Sequence, residues 1–189
     1  MTAKRVRQHG HAAGHMSDFS YKMIEMMHDN RLLPYFRDPY KLLAAAGLKQ
    51  GQHVLEVGCG PGYFTIPAAR LVGKEGMVYA VDVHPRAIAR VTEKIAAEEV
   101  KNVTPMLANA AETGLPEDSI DLAFLFGLRY IAGGLEGLLN ELHRILKPGG
   151  TLSFEKTRGS TEKLIAEVEA AEFRYIRKQG RILVFERAG

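Results

Sequence analysis

From His53 onward the chain changes rhythm between two patterns of apolar and polar positions. Compact apolar runs at Val54 to Val57, Met77 to Val81, Ile120 to Leu125 and Thr151 to Glu155 predict buried strands. Between and after them, apolar residues recur every three or four positions. Phe64, Ala68, Leu71 and Val72 form one such stripe, and Ile88, Val91 and Ile95 a second. Leu135, Leu138, Leu139, Leu142, Ile145 and Leu146 form a third, and Leu164, Ile165, Val168 and Ala171 a fourth. Each stripe predicts a helix with one buried face. Phe173 to Arg177 and Ile182 to Glu186, joined at Gln179-Gly180, predict a closing hairpin. Residues 17 to 46 read as helical, interrupted at Pro34 and at Asp38-Pro39. The pattern changes near residue 40, which predicts a tail and helical cover over residues 1–39 and one folded domain over residues 40–189.

Alternating strands and helices imply an α/β, doubly wound fold: a mostly parallel sheet with helices on both faces. Such sheets bind ligands beyond the carboxyl ends of their strands, where strand order reverses. The chemistry-bearing residues fall there. Val54 to Val57 runs into Gly58-Cys59-Gly60-Pro61-Gly62, and twenty residues past Gly62 the next strand closes on Asp82. A strand, a glycine turn, a helix and a strand ending in a carboxylate is an arrangement for gripping a nucleoside. Glycines at alternate positions let the backbone turn sharply and lie close to a ligand. A dinucleotide loop spaces its glycines as G-x-G-x-x-G, so that a pyrophosphate sits on the helix N-terminus. Here the order is Glu-x-Gly-x-Gly-x-Gly, opened by Glu56. A carboxylate repels a pyrophosphate and attracts a cation.

The run Val54 to Gly62 resembles motif I of the class I S-adenosylmethionine-dependent methyltransferases, and Tyr79-Ala80-Val81-Asp82 resembles their second motif. Ala108 to Pro116 is similar to the segment that meets the adenine, with Asn109 where the family usually has Asp. Ile120 to Leu125 is similar to the fourth strand, whose end faces the transferred methyl, and Leu142 to Gly150 to the helix and turn before the fifth. The resemblance spans residues 40 to 189 in order. It implies seven strands, the last inserted antiparallel in the C-terminal hairpin, and S-adenosylmethionine as cofactor. It also implies a cofactor site of Glu56, Gly58, Cys59, Gly60, Gly62, Asp82, Val83, Asn109, Ala110 and Phe126. Asp82 would accept from both ribose hydroxyls, although a strand-end Asp also suits capping of the helix beginning at Pro85. The Asn109 amide oxygen would accept from the adenine amino group and the Ala110 N–H would serve the ring, with Val83 against the base. Cys59 reads as a small buried loop residue, with no basic neighbour in sequence to activate a thiol.

The acceptor side is less legible. Tyr21, Met27, His28 and Tyr130 are candidate substrate contacts, and Met23, Met26 and Met27 with Tyr35 and Phe36 suit either an apolar pocket or a helix packed on the sheet. In-line transfer from a sulfonium needs alignment and exclusion of water more than a strong acid, so no catalytic residue is singled out. The Asn/Asp-Pro-Pro-aromatic motif of base-amino methylases is absent where Phe126-Gly127-Leu128-Arg129 stands. The sole Cys lies in the glycine loop, which disfavours cytosine methylation and metalloid chemistry. A small, apolar or aromatic organic acceptor fits best, ahead of RNA or protein. A non-catalytic cofactor-binding or regulatory protein stays open, and a nicotinamide dehydrogenase is disfavoured by the glycine spacing and hairpin.

Bulk properties narrow this little further. With 189 residues, 46% hydrophobic and 25% charged, the chain is an ordinary one-domain length. A net charge of +3 is too small to argue for nucleic acid. No apolar run nears the roughly 20 residues of a membrane span, and no secretory signal is evident, so the reading is cytoplasmic. His9, His11 and His15 have no Cys or carboxylate among them, and no metal site is assigned. Oligomeric state is not read.

Overall fold

The computed structural model describes residues 37–127, 134–156 and 159–189. Its elements run in the order α1 (Pro39–Ala46), β1 (His53–Val57), α2 (Thr65–Val72), β2 (Met77–Asp82), α3 (Pro85–Ala97) and β3 (Val103–Leu107). Then follow β4 (Ile120–Leu125), α4 (Gly134–Ile145), β5 (Leu146–Glu155), α5 (Thr161–Glu169), β6 (Phe173–Gln179) and β7 (Ile182–Arg187). The seven strands form one sheet in the order β3-β2-β1-β4-β5-β7-β6. Strands β1 to β5 pair in parallel, and β7 lies antiparallel between β5 and β6. The expected doubly wound sheet with its antiparallel hairpin is present. Strand order reverses at β1, between β2 and β4, which puts the switch point above the glycine loop.

The two-residue period of the strands sorts the core. Leu55, Val57, Val81, Ala123, Leu125, Leu152 and Phe154 face one side, where Leu138, Leu139 and Leu142 of α4 and Val168 of α5 cover them. Val54, Val78, Leu122 and Phe124 face the other, beneath Leu43 of α1 and Ala68, Ala69 and Val72 of α2. Helix α3 covers Ala80 on that second side through Val91. The break expected at Asp38-Pro39 is the start of α1. The Asp38 side chain accepts from the N–H groups of Tyr40 and Lys41, Pro39 occupies the first turn, and Gly47 ends the helix at φ +99°. Helix α1 is then tied to the sheet at its carbonyl end: the Ser153 hydroxyl donates to Ala46 O (2.9 Å) and Arg177 to Ala45 O (2.9 Å).

Two strands depart from the pattern. Strand β3 escaped the apolar-run criterion because it is a half-exposed edge strand containing Pro105, which an edge tolerates. Strand β5 begins at Leu146, five residues before the run at Thr151, because Leu146 pairs with Ile120 across a register shift that takes up Lys147-Pro148-Gly149-Gly150. The helical reading of residues 17–36 lies outside the described residues.

One glycine in the turn between α2 and β2 is required by space alone. A Cβ on Gly76 would lie 2.6 Å from Val72 Cβ and 2.7 Å from Gln52 O, both fixed by the surrounding backbone. Gly76→Ala should cost about 1–3 kcal/mol, the usual penalty for overpacking, read by urea denaturation. An unchanged midpoint would mean the turn is looser than drawn.

Candidate functional site

The carboxyl ends of β1 and β2 are joined by a run of backbone hydrogen bonds. Gly58, Gly60 and Gly62 all have positive φ (71°, 51° and 80°), so the loop follows a path that residues with side chains rarely take. Val81 O accepts from both Gly58 N–H (2.8 Å) and Cys59 N–H (3.0 Å), and Cys59 O accepts from Gly62 N–H (3.0 Å). The Asp82 carboxylate completes the closure: one oxygen accepts from Gly60 N–H (2.9 Å) and the other from His84 N–H (2.8 Å). Helix α3 is capped by His84, whose Nδ1 accepts from Arg86 N–H (3.2 Å), and not by Asp82. The residue before a proline is held in extended geometry, which suits a cap and gave His84 a signal in the sequence. An ionised carboxylate has about four acceptor positions. Two are taken here, so Asp82 keeps capacity for two further donors.

Glu56 lies directly behind the loop and is only 3% exposed. Its carboxyl accepts from the Thr65 hydroxyl at the start of α2 (2.6 Å). Burial pushes it up from the ordinary 4.5 to about 8, opposed by the Thr65 bond and reinforced by the charge of Asp82. Burial thus favours the protonated acid at neutral pH. Cys59 is buried too, against Ala80 and Val91, and burial with the nearby Glu56 and Asp82 raises its thiol well above the usual range. It is no nucleophile at neutral pH.

The two faces of the loop differ in how much space they leave. A Cβ on Gly60 would meet nothing within 4 Å, whereas one on Gly62 would meet Val91 Cγ2 at 3.1 Å. The loop is open above and closed against α3 below. Val83, 40% exposed, offers an apolar surface beside Asp82. Asn109 is exposed just past β3, and its amide oxygen accepts from Ala111 N–H (3.0 Å) with one acceptor position left. Ala110 beside it is half-buried, and Ala108 N–H donates to Asp82 O (3.1 Å), so the β3 loop is pinned to the same strand end. Glu141 of α4 fixes the far part of that loop, accepting from Thr113 N–H (2.9 Å) while paired with Arg144. The Phe126 ring is packed into the core, 5.2 Å from the Phe64 ring and 5.1 Å from that of Phe124. Its contribution at the strand ends is thus its backbone.

The structure brings the glycine loop and Asp82 into one hydrogen-bonded unit, with Glu56 buried nearby on Thr65, Val83, Asn109 and Ala110 beside it and Phe126 one strand over. Tyr21, Met27, His28 and Tyr130 lie outside the described residues. Sequence reasoning missed Thr65, although a hydroxyl at the first helical position after a glycine loop is a readable signal. It also missed Arg37, which pairs with Glu155 at the end of β5 and has no local signal, since 118 positions separate the partners.

Comparison with known proteins agrees with this geometry. Residues 54–150 match the family described as Methyltransferase domain. The chain is 31% identical over 144 residues to a ubiquinone/menaquinone biosynthesis C-methyltransferase from Marinomonas sp., covering 75% of this chain and 57% of that protein. It is 32% identical over 130 residues to a demethylmenaquinone methyltransferase from Listeria monocytogenes, covering 68% of this chain and 54% of that protein. The chain thus spans little more than half the length of these relatives. A crystal structure of a SAM dependent methyltransferase from Aquifex aeolicus superposes with a TM-score of 0.78 at 25% identity, covering 89% of this chain and 98% of that one. Sheet order, acid-led glycine loop and family match converge: this chain belongs to the class I S-adenosylmethionine-dependent methyltransferase family.

Proposed function

We propose that this protein transfers a methyl group from S-adenosylmethionine to a small, apolar or aromatic organic acceptor, working in the cytoplasm. The observation that carries the reading is the Asp82 carboxylate, fixed by Gly60 and His84 at the switch point with acceptor capacity to spare. In this reading Asp82 takes the ribose hydroxyls, and the bare face of Gly60 admits the ligand. Val83 lies against the adenine, and Asn109 and the Ala110 backbone meet its edge. Glu56 faces the positive end of the cofactor from behind the loop. The cofactor supplies an electrophilic methyl on sulfur. The chain's own task is to hold that methyl in line with an acceptor at the ends of β4 and β5 and to exclude water. The relatives that act on quinone precursors support a ring-bearing acceptor. An antiparallel β7 and an acid opening the loop set the domain apart from a nicotinamide dehydrogenase. No described helix is long and apolar enough to cross a membrane. Residues 17–40 serve in this proposal as a cover that forms one wall of the acceptor pocket, carrying the candidate contacts Tyr21, Met27 and His28, with residues 126–130, and so Tyr130, opposite. Radiolabelled methyl transfer from S-adenosylmethionine into a metabolite extract tests the activity, and absence of any labelled product would leave a binding protein.

Asp82→Ala should weaken S-adenosylhomocysteine binding by about 1.5–3 kcal/mol, or roughly 10- to 150-fold. Asp82→Asn, which retains one acceptor oxygen, should lose less. Equal affinity of a folded Asp82→Ala variant would remove this residue from the site.

Glu56 makes both stability and binding depend on pH. The folded chain holds its proton up to about 8, whereas an unfolded glutamate releases it near 4.5. The folded state therefore binds more protons between those values, and its ligand-free stability falls as pH rises through them. Glu56→Gln should flatten that slope in urea titrations. A cation bound beside Glu56 favours the ionised form, so S-adenosylmethionine should bind more tightly towards pH 8 and release a proton. Calorimetry in buffers of different ionisation enthalpy reads that proton, and its absence would separate Glu56 from the cationic end.

Replacing Ser17 to Tyr40 with the corresponding stretch of a relative should change acceptor choice while leaving S-adenosylhomocysteine affinity within a few-fold. The reverse outcome would place this segment over the adenosine.

A further inference from the structure

Beyond the glycine loop, one built cluster stands at the acceptor end of the sheet. Arg37 precedes α1 and reaches across to the end of β5, where its Nη2 donates to the Glu155 carboxylate. The Glu155 side chain is only 5% exposed and that of Arg37 24%. The guanidinium lies over the Phe64 ring, 4.9 Å from its centroid, and the Tyr63 hydroxyl donates to the Arg37 backbone carbonyl. A Cβ placed on Gly127, just past β4, would stand 3.5 Å from both Nη atoms. The guanidinium therefore lies beside bare backbone at the ends of β4 and β5, placed by the Phe64 ring and the Glu155 carboxylate, while Tyr63 holds the Arg37 backbone.

A guanidinium has five N–H donors in a rigid fork. Among the described residues, Glu155 is the one side-chain or backbone acceptor on them. The pair is electrically neutral as a unit, which restricts what it can hold. An anionic group would have to approach beside the buried Glu155 carboxylate, or displace it and leave that charge unpaired, which is costly. A carbonyl or hydroxyl oxygen meets no such opposition and finds a fork of donors. Resting on the methyl-transfer reading, we infer that Arg37, oriented by Glu155 and Phe64, is a specificity-determining residue that hydrogen-bonds an uncharged oxygen on the ring of the acceptor. The acceptor class is then a neutral, oxygen-bearing ring, not a carboxylate or phosphate ester.

The test uses the full chain, S-adenosylmethionine as donor, and three probes. 1,4-Naphthoquinol and catechol are uncharged rings bearing oxygen, and 1,4-dihydroxy-2-naphthoate is the anionic counterpart. The wild type should methylate an uncharged ring with a lower KM than the naphthoate. Arg37→Lys keeps the charge pair but loses the fork, so KM for the uncharged ring should rise about 10-fold or more. S-adenosylhomocysteine affinity, Tm and kcat should stay within about threefold or a few degrees, which a merely structural latch would not allow. Glu155→Gln leaves a net cation, and preference should move towards the naphthoate, which keeps the inference testable should Arg37→Lys not fold. Unchanged KM in Arg37→Lys, or a wild-type preference for the naphthoate, would overturn it. A wild type that binds S-adenosylhomocysteine but methylates no ring would overturn the ring-acceptor reading on which the inference rests, whereas ring methylation with an unchanged KM in Arg37→Lys would overturn this inference alone, and failure to bind S-adenosylhomocysteine would overturn the donor assignment.

Discussion

The Asp82 carboxylate is the point at which this fold becomes a site. Its two oxygens join the glycine loop at Gly60 to the start of α3 at His84, so one side chain ties the loop to the carboxyl end of β2. Three residues with positive φ would otherwise be a soft connection. The Gly58 and Cys59 N–H groups on Val81 O leave the loop little freedom, and the β3 loop is drawn to the same strand end through Ala108. The structural duty of Asp82 is compatible with the proposed ribose contact because a carboxylate has more acceptor positions than the backbone here uses.

Charge placement around that point divides the strand ends in two. On the β1–β2 side, Glu56 and Asp82 stand close together with no described cation against either, and burial holds Glu56 protonated at neutral pH. In the proposed function that side receives the positively charged end of the cofactor. On the β4–β5 side, Arg37 and Glu155 cancel one another beside the Phe64 ring. That side gains from a neutral polar group on an apolar body. A cationic methyl donor and an uncharged ring acceptor are the pair of ligands such a division suits.

Much of this was legible along the chain because its signals are local. The glycine loop, the strand-end Asp82 and the helical stripes each lie within a few residues of one another, and hydrophobic periodicity placed them on a doubly wound sheet. Strand β3, implied by the resemblance, is not marked by the apolar pattern because an edge strand is half solvated and tolerates Pro105. In the sequence Asp82 suits either a ribose contact or the cap of α3, and the geometry gives the cap to His84. Burial of Glu56 and the packing of Phe126 into the core depend on which face each strand position takes, which periodicity alone leaves ambiguous within a short apolar run. Arg37 and Glu155 meet only through the finished topology, and no spacing rule reaches across that separation.

The proposal that the Asp82-clamped glycine loop is the adenosyl site of a methyl-transfer enzyme is open to a crystal structure of the full chain with S-adenosylhomocysteine. Both ribose hydroxyls should then lie on the Asp82 carboxylate, the adenine between Val83 and Asn109, and the amino group of the homocysteine moiety on the Glu56 side of the loop. A ligand seated elsewhere on the sheet, or a ribose that leaves Asp82 bonded only to Gly60 and His84, would contradict it.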